Sequence, residues 1–194
     1  MKKVLIFISI LVLLAFTTRD YFENTSVLIT PESQLILKGK TNVNKFQCVF
    51  NVTEIKNPIP VYFKVLGDKL LFNNTQLVLK NGCFDCGNKA MNRDFQDLLK
   101  SKKYPQINLK LKELKELNTQ KGHVMQVLLD LEIAGITKSY KIPVTLEGSD
   151  NLFVRGLLVL NICDFNIEPP KKLMGIISVD EIIEIDFQLL IEEC

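Results

Sequence analysis

The sequence predicts a mainly β fold, most simply an antiparallel barrel of about eight strands with one short helix. Two patterns lead to this prediction. From Gln34 onward, apolar and polar residues alternate with a period of two in a series of segments, each with one apolar face. Only residues 82–105 carry a helical pattern. Because so many strands must hide their edges, closure into a barrel is the simplest arrangement, and its interior is filled by side chains or holds one ligand.

The alternating segments follow one another along the chain and together form the predicted core. Two short strands, residues 61–66 and 76–80, lie between turn signals rich in Pro, Gly and Asn. The positions that share one apolar face in the other segments are Leu35 and Leu37; Phe46, Cys48, Phe50 and Val52; Ile107, Leu109 and Leu111; Val127, Leu129, Leu131 and Ile133; Tyr140, Ile142, Val144 and Leu146; Leu152, Val154, Leu158, Leu160 and Ile162; and Ile183, Ile185, Phe187, Leu189 and Ile191.

The helical segment has an apolar stripe and signals at both ends. Asn88 is a suitable N-cap, lysines fill the last turn, and a proline closes the segment. The apolar residues at i, i+4, i+7 and i+8, which share one face of a helix, are Met91, Phe95, Leu98 and Leu99. A single helix of this kind would cap a β structure.

The N-terminus predicts export. Three residues, Met1-Lys2-Lys3, precede an apolar run over residues 4–16 that only Ser9 interrupts, which is typical of a secretory signal. The run is shorter than the roughly 20 residues that span a bilayer. We therefore expect a periplasmic or secreted protein that contacts a membrane only if the signal is left uncleaved.

Length and composition fit one globular domain after this signal. The chain has 194 residues, of which 47% are hydrophobic, and its formal net charge of +2 includes Lys2 and Lys3. Without those two lysines the chain is near neutral, so we expect no nucleic-acid partner. The expected organisation is a signal peptide over residues 1–17, a loose N-terminal lead-in over residues 18–32 and a barrel domain over residues 33–194.

All five cysteines lie after the predicted signal. An oxidising compartment favours disulfides between them. Five is an odd number, so at least one thiol is free or pairs between chains. The oligomeric state is therefore open, and a homodimer is one possibility. The five are Cys48, Cys83, Cys86, Cys163 and Cys194.

The sequence shows no recognisable catalytic or metal site. Cys83 and Cys86 form a Cys-x-x-Cys pair, but without the βαβ pattern of thioredoxin-like redox proteins. With His123, the only histidine, the pair would supply three of about four ligands that a zinc site needs. A structural cysteine pair, or one disulfide partner beside a buried free thiol, is the simpler interpretation, and we expect no metal, no cofactor and no catalytic residue.

The residues alone leave the function of the barrel interior open. A dry apolar interior would bind a lipid or another hydrophobic ligand. A solid core would instead make the chain a structural or protein-interaction barrel. A third hypothesis is an enzyme with an unrecognised site around His123 or the free thiol.

Five segments resemble the YceI-like family of exported bacterial proteins, in the family's order, between about residues 33 and 191. They are residues 35–48 with Asn-Val-Asn after the first strand, residues 84–99 with the helix, residues 103–107 with Lys-Tyr-Pro-x-Ile, residues 131–138 with the Gly-Ile-Thr-Lys hairpin, and residues 164–167 with Asp-Phe-Asn-Ile, where the family has Asp-Phe-Gly-Ile. No single motif identifies the family, but five motifs in the family's order and spacing do.

The resemblance implies a lipocalin-like barrel of eight antiparallel strands with a helix on one side. It further implies an elongated apolar cavity that holds a polyisoprenoid or a similar lipid, without a general enzyme activity. The partner would then be a lipid or isoprenoid small molecule. The apolar side chains that we expect to turn inward and contact it are Phe46, Phe50, Ile107, Leu109, Val127, Leu129, Leu158 and Phe187.

The resemblance also implies one disulfide. Cys48 and Cys86 each lie inside a matching motif, the first on the early strand and the second just before the helix. We therefore predict a bond between them, with Cys83 as the competing partner.

Overall fold

The computed structural model describes residues 21–117, 124–148, 151–172 and 176–194. The predicted signal peptide over residues 1–17 and His123 lie outside these ranges. Within the ranges, no helix has the length and hydrophobicity that a membrane span requires.

The described chain consists mainly of strands, with one α-helix, α1, at Lys89–Leu98. Short 3-10 turns occur at Val52–Glu54, Asn81–Cys83 and Ile162–Phe165. The strands are β1 Glu23–Ile29, β2 Gln34–Lys40, β3 Lys45–Phe50, β4 Ile59–Leu66, β5 Lys69–Asn73, β6 Gln76–Lys80, β7 Phe84–Asp85, β8 Gln106–Leu117, β9 Val124–Ile133, β10 Ile136–Glu147, β11 Asn151–Asn161, β12 Lys171–Lys172, β13 Ile177–Ser178 and β14 Ile182–Glu193.

Eight of these strands close into a ring. Their order is β1–β4–β5–β8–β9–β10–β11–β14, and β14 pairs with β1 to complete it. Every pair of neighbours in the ring is antiparallel. The prediction of an eight-stranded antiparallel barrel with one short helix is therefore confirmed.

Two long strands each pair with two shorter ones. β14 pairs with β1 at residues 191–193 and with β2 at residues 184–188. In the same way β8 pairs with β5 at residues 113–115 and with β6 at residues 106–110. Each set of shorter strands therefore acts as one broken strand of the wall. β2 also continues the sheet outward through β3 to β7, which lie outside the ring.

Two strands of the ring were not predicted. The expected loose lead-in over residues 18–32 is wrong for β1, which pairs with β4 on one side and β14 on the other. Val27 and Ile29 are its only apolar inward positions, too few to give a readable alternation. β5 was missed because its apolar residues are consecutive rather than alternating.

α1 packs on the β3–β7 extension through aromatic rings. Phe84 lies between Phe50 and Phe95, with ring centroids 4.9 Å and 5.1 Å away. The predicted N-cap is confirmed, because the Met91 backbone N–H donates to the side-chain oxygen of Asn88 at 2.9 Å. The helix therefore buries its apolar stripe against β3 and β7.

A disulfide joins Cys48 on β3 to Cys86, just before α1, and both residues are buried. The pairing that the resemblance implies is confirmed, and Cys83, Cys163 and Cys194 are free. The bond ties the N-terminal end of α1 to the extension of the sheet.

Removing this disulfide should destabilise the protein by about 4 kcal/mol, because it closes a loop of about 39 residues and so restricts the unfolded chain. The sequence separation of the two cysteines is 38 residues. We expect a Cys48→Ala/Cys86→Ala variant to unfold at a clearly lower urea concentration than the oxidised wild type. A Cys83→Ala variant is the matched control and should keep a midpoint close to that of the wild type; equal shifts in both would contradict the prediction.

Candidate functional site

The interior of the barrel contains a cavity of about 350 Å³. Because side chains alternate between the two faces of a strand, alternate residues of the ring strands point into it, with one shift on β8 where the pairing with β9 is irregular between Leu111 and Glu113. The volume lies at the low end of the range for small-molecule sites, about 300–1,000 Å³. The cavity is therefore large enough for part of an extended chain-like molecule.

The wall of the cavity is apolar apart from Thr75 and Gln76. In the part of the chain that the structure describes, no acidic, basic or thiol side chain lines it. Most of the lining residues come from the long strands: Ile107, Leu109, Leu111 and Leu114 of β8; Val127, Leu129 and Leu131 of β9; Ile142, Val144 and Leu146 of β10; Leu152, Val154 and Leu158 of β11; and Ile185, Phe187, Leu189 and Ile191 of β14.

The structure brings six of the eight predicted ligand-contacting residues together on this wall. They are Ile107, Leu109, Val127, Leu129, Leu158 and Phe187. Their contact with a ligand stays a prediction, but their placement makes them available for it.

The structure does not place Phe46 and Phe50 at the cavity. Both lie on β3, which extends the sheet outside the ring. The Phe46 ring covers the Cα of Gly39, where an added Cβ would lie 2.2 Å from Cζ of the ring, and Phe50 packs on Phe84. Alternation identified the apolar face of β3 correctly, but it carries no information on which space that face covers.

Sequence reasoning also missed wall residues from β1 and β5. Val27, Ile29 and Phe72 line the cavity, although their strands were not predicted. The signal that could have found β1 is the alternation of Thr25, Val27 and Ile29, which spans only five residues.

A glycine keeps one large ring against the wall. Gly156 on β11 pairs directly with Phe187 on β14. An added Cβ at Gly156 would lie 2.3 Å from Cζ of the Phe187 ring, so the ring occupies the place of a side chain at position 156. The phenyl ring of Phe187 therefore lies along the wall, over the neighbouring strand β11.

Thr75 is the buried polar group of the wall. It lies at the break between β5 and β6, where Asn74 has the left-handed φ of 54°. The Tyr62 backbone N–H donates to the Thr75 hydroxyl oxygen at 3.1 Å, and the Leu111 N–H donates to the Thr75 carbonyl at 2.9 Å. These two bonds hold Thr75 between β4 and β8.

The cysteines do not form the redox or zinc site that Cys-x-x-Cys can indicate. Cys86 is bonded to Cys48, and Cys83 is a half-buried free thiol. Burial first, and then the negative charge of Glu54, raise the pKa of Cys83 above its ordinary value. Across the described ranges, no group of three His, Cys, Asp or Glu side chains is placed to bind a metal ion.

The model of one protein family, the YceI-like domain, matches the chain over residues 67–191. That is more than half of the 194 residues. No sequence among the curated proteins matches the chain.

Several solved structures have the same fold. BcnA of Burkholderia cenocepacia has a TM-score of 0.61 at 20% identity, over 84% of this chain and 99% of its own. A polyisoprenoid binding domain from Saccharophagus degradans, implicated in plant cell wall breakdown, has a TM-score of 0.57 at 14% identity, over 89% of this chain and 99% of its own. The YCEI protein of Campylobacter jejuni has a TM-score of 0.52 at 15% identity, over 67% of this chain and 78% of its own. At these identities the likeness shows the fold alone.

The environment of Cys83 predicts slow alkylation. A raised pKa leaves little thiolate at pH 7.5, and half-burial restricts access. With iodoacetamide at that pH, we expect Cys83 to react about tenfold more slowly than the exposed Cys194, and its rate to keep rising above pH 8.5. Mass spectrometry of digests after timed alkylation measures both rates. Rapid labelling of Cys83 at pH 7 would show a lowered pKa and would contradict this account.

Proposed function

This chain belongs to the YceI-like family, and from that premise we propose that it holds one hydrophobic ligand inside its barrel. The ligand is a polyisoprenoid or another lipid, and it is bound without being changed chemically. The observation that carries this proposal is the apolar cavity of about 350 Å³ in the ring of eight strands.

The physical basis of binding is the burial of apolar surface. Each Å² of apolar surface removed from water contributes about 25 cal/mol, so a chain of about 20 carbons would gain several kcal/mol before ordering costs. An apolar cavity is also unfavourable for water, which finds few hydrogen-bond partners in it. The wall therefore favours a hydrocarbon chain over solvent.

The fold comparison supports the same ligand class. The S. degradans polyisoprenoid binding domain has this fold over almost its full length. A filled-core interaction barrel is the alternative, but it does not account for an apolar cavity of this size.

We propose a binding role rather than an enzymatic one for the same cavity. Its wall, as far as the structure describes it, carries one buried polar side chain, that of Thr75, since the exposed Gln76 side chain belongs to the opposite face of its strand. The free thiol of Cys83 is not on this wall, and His123 lies outside the described residues.

We propose that the protein acts after export, in the periplasm or outside the cell. The lysine-flanked apolar run at residues 4–16 supports this location. The Cys48–Cys86 disulfide supports it independently, because such bonds persist in oxidising compartments.

Native mass spectrometry tests the ligand proposal. Protein purified gently from its own host should carry an apolar adduct at one molecule per chain, and organic extraction should release it and identify its class. A clean apo mass, together with no uptake of offered prenyl alcohols, would reject the proposal in favour of a filled-core interaction protein.

A pair of variants on β11 tests whether the cavity is the binding site. Leu158 is 3% exposed and lines the cavity, whereas its neighbour Leu157 is 47% exposed on the other face of the strand. Because an added ring would take up cavity volume, Leu158→Phe should lower lipid uptake about tenfold, a loss of about 1.4 kcal/mol. Leu157→Phe should leave uptake unchanged.

Uptake is measured as bound lipid per folded chain, with thermal unfolding as the check on folding. Leu129→Phe is the second cavity variant if Leu158→Phe overpacks the core. Wild-type uptake by both folded cavity variants would show that the lipid binds elsewhere.

A further inference from the structure

We propose that Thr75 is the polar anchor of the cavity, and that the part of the lipid buried in the barrel is uncharged and carries a hydrogen-bond acceptor oxygen. This inference rests on the proposed function, since it names the class of lipid and the residue that selects it.

The wall selects against charge. In the described chain, no ionisable side chain lines the cavity, so an ionised phosphate or carboxylate inside it would have no partner of opposite charge. Burial of an unpaired ion is far more costly than burial of a neutral oxygen. An ionised headgroup must therefore stay outside, and the part of the ligand inside the barrel is neutral.

Thr75 lies on the inward-facing side of its strand. Its position shares the alternation of Leu77 and Leu79, which line the cavity on β6. Thr75 is only 6% exposed, whereas Gln76 belongs to the opposite face and is exposed. The wall thus carries one buried polar side chain among the described residues.

The hydroxyl of Thr75 has an unused donor. A threonine hydroxyl can donate one hydrogen bond and accept two. The oxygen already accepts from the Tyr62 backbone N–H at 3.1 Å, and none of the described residues accepts its proton. Since a buried donor without an acceptor is unfavourable, a ligand oxygen that accepts this proton gains a bond that a pure hydrocarbon cannot make.

The local backbone explains why a hydroxyl occupies this position. The left-handed Asn74 ends β5, and β4 pairs with β5 but not with β6. The Thr75 side chain therefore supplies the acceptor that Tyr62 would otherwise find on a neighbouring strand. This bond also fixes the position of the hydroxyl oxygen, so that the hydroxyl donates its proton from one defined point of the wall.

Three probes with one carbon skeleton test the inference: the 20-carbon alcohol geranylgeraniol, its phosphate, and the corresponding hydrocarbon without oxygen. Uptake by the full exported chain is quantified by extraction and mass spectrometry. We expect the wild type to prefer the alcohol over the hydrocarbon about fivefold, and over the phosphate at least about tenfold.

Two substitutions assign the preference to the hydroxyl. Thr75→Val should bring uptake of the alcohol down to the level of the hydrocarbon. Thr75→Ser, which keeps the hydroxyl, should retain the preference for the alcohol. A purely structural role of Thr75 would lower uptake of all probes together and leave their ratio unchanged. Thr75→Ala replaces Thr75→Val if the orphaned Tyr62 N–H prevents folding.

The outcomes separate this inference from the function on which it rests. Three results would overturn the inference and leave lipid binding intact. The wild type could take up the alcohol and the hydrocarbon equally, it could take up the phosphate as well as the alcohol, or the preference for the alcohol could survive loss of the Thr75 hydroxyl. Failure of the wild type to take up any of the three probes would overturn the proposed function as well.

Discussion

The pairing of β14 with two partners on one of its edges is the constraint on which the rest of the structure depends. Its C-terminal part pairs with β1 and closes the ring, and its N-terminal part pairs with β2. The closed part forms the cavity, while β2 leads out of the ring to β3 and β7. That extension carries Cys48 and Phe84 to α1, so the disulfide and the aromatic contacts of the helix both follow from the same strand.

A hydroxyl side chain holds each of the two breaks in the barrel wall, the one between β1 and β2 that allows this double pairing and the one between β5 and β6. At the turn between β1 and β2, the Leu190 N–H donates to the Ser33 hydroxyl at 2.9 Å. At the opposite break, between β5 and β6, the Thr75 hydroxyl plays the same part for Tyr62. A broken strand leaves backbone donors without a ladder partner, and a short hydroxyl side chain is the smallest group that can satisfy them. The polar point of the cavity is thus a consequence of how the barrel is closed.

Alternation in the sequence predicted the long strands well, because a strand of ten to twelve residues contains enough periods of the alternation to define its apolar face. It located the six wall residues on β8, β9, β11 and β14 for the same reason. It failed for β1, where the pattern is short, and for β5, where apolar residues are consecutive. It also assigned Phe46 and Phe50 to the cavity, because a two-residue period gives the face of β3 but not its position outside the ring. Thr75 could not be predicted, since its role depends on Tyr62, thirteen residues away.

Whether such a barrel is hollow or solid depends on side-chain volume, which an apolar pattern does not reveal. About eight strands enclose a space that large side chains can fill completely. Here the wall consists mostly of Leu, Ile and Val, and the Phe187 ring lies over Gly156 rather than projecting across the interior. Any larger residue at position 156 would meet that ring and push it toward the centre, because its Cβ would lie 2.3 Å from the ring. Gly156 therefore belongs to the site as much as the side chains that line it, although it contributes no contact of its own.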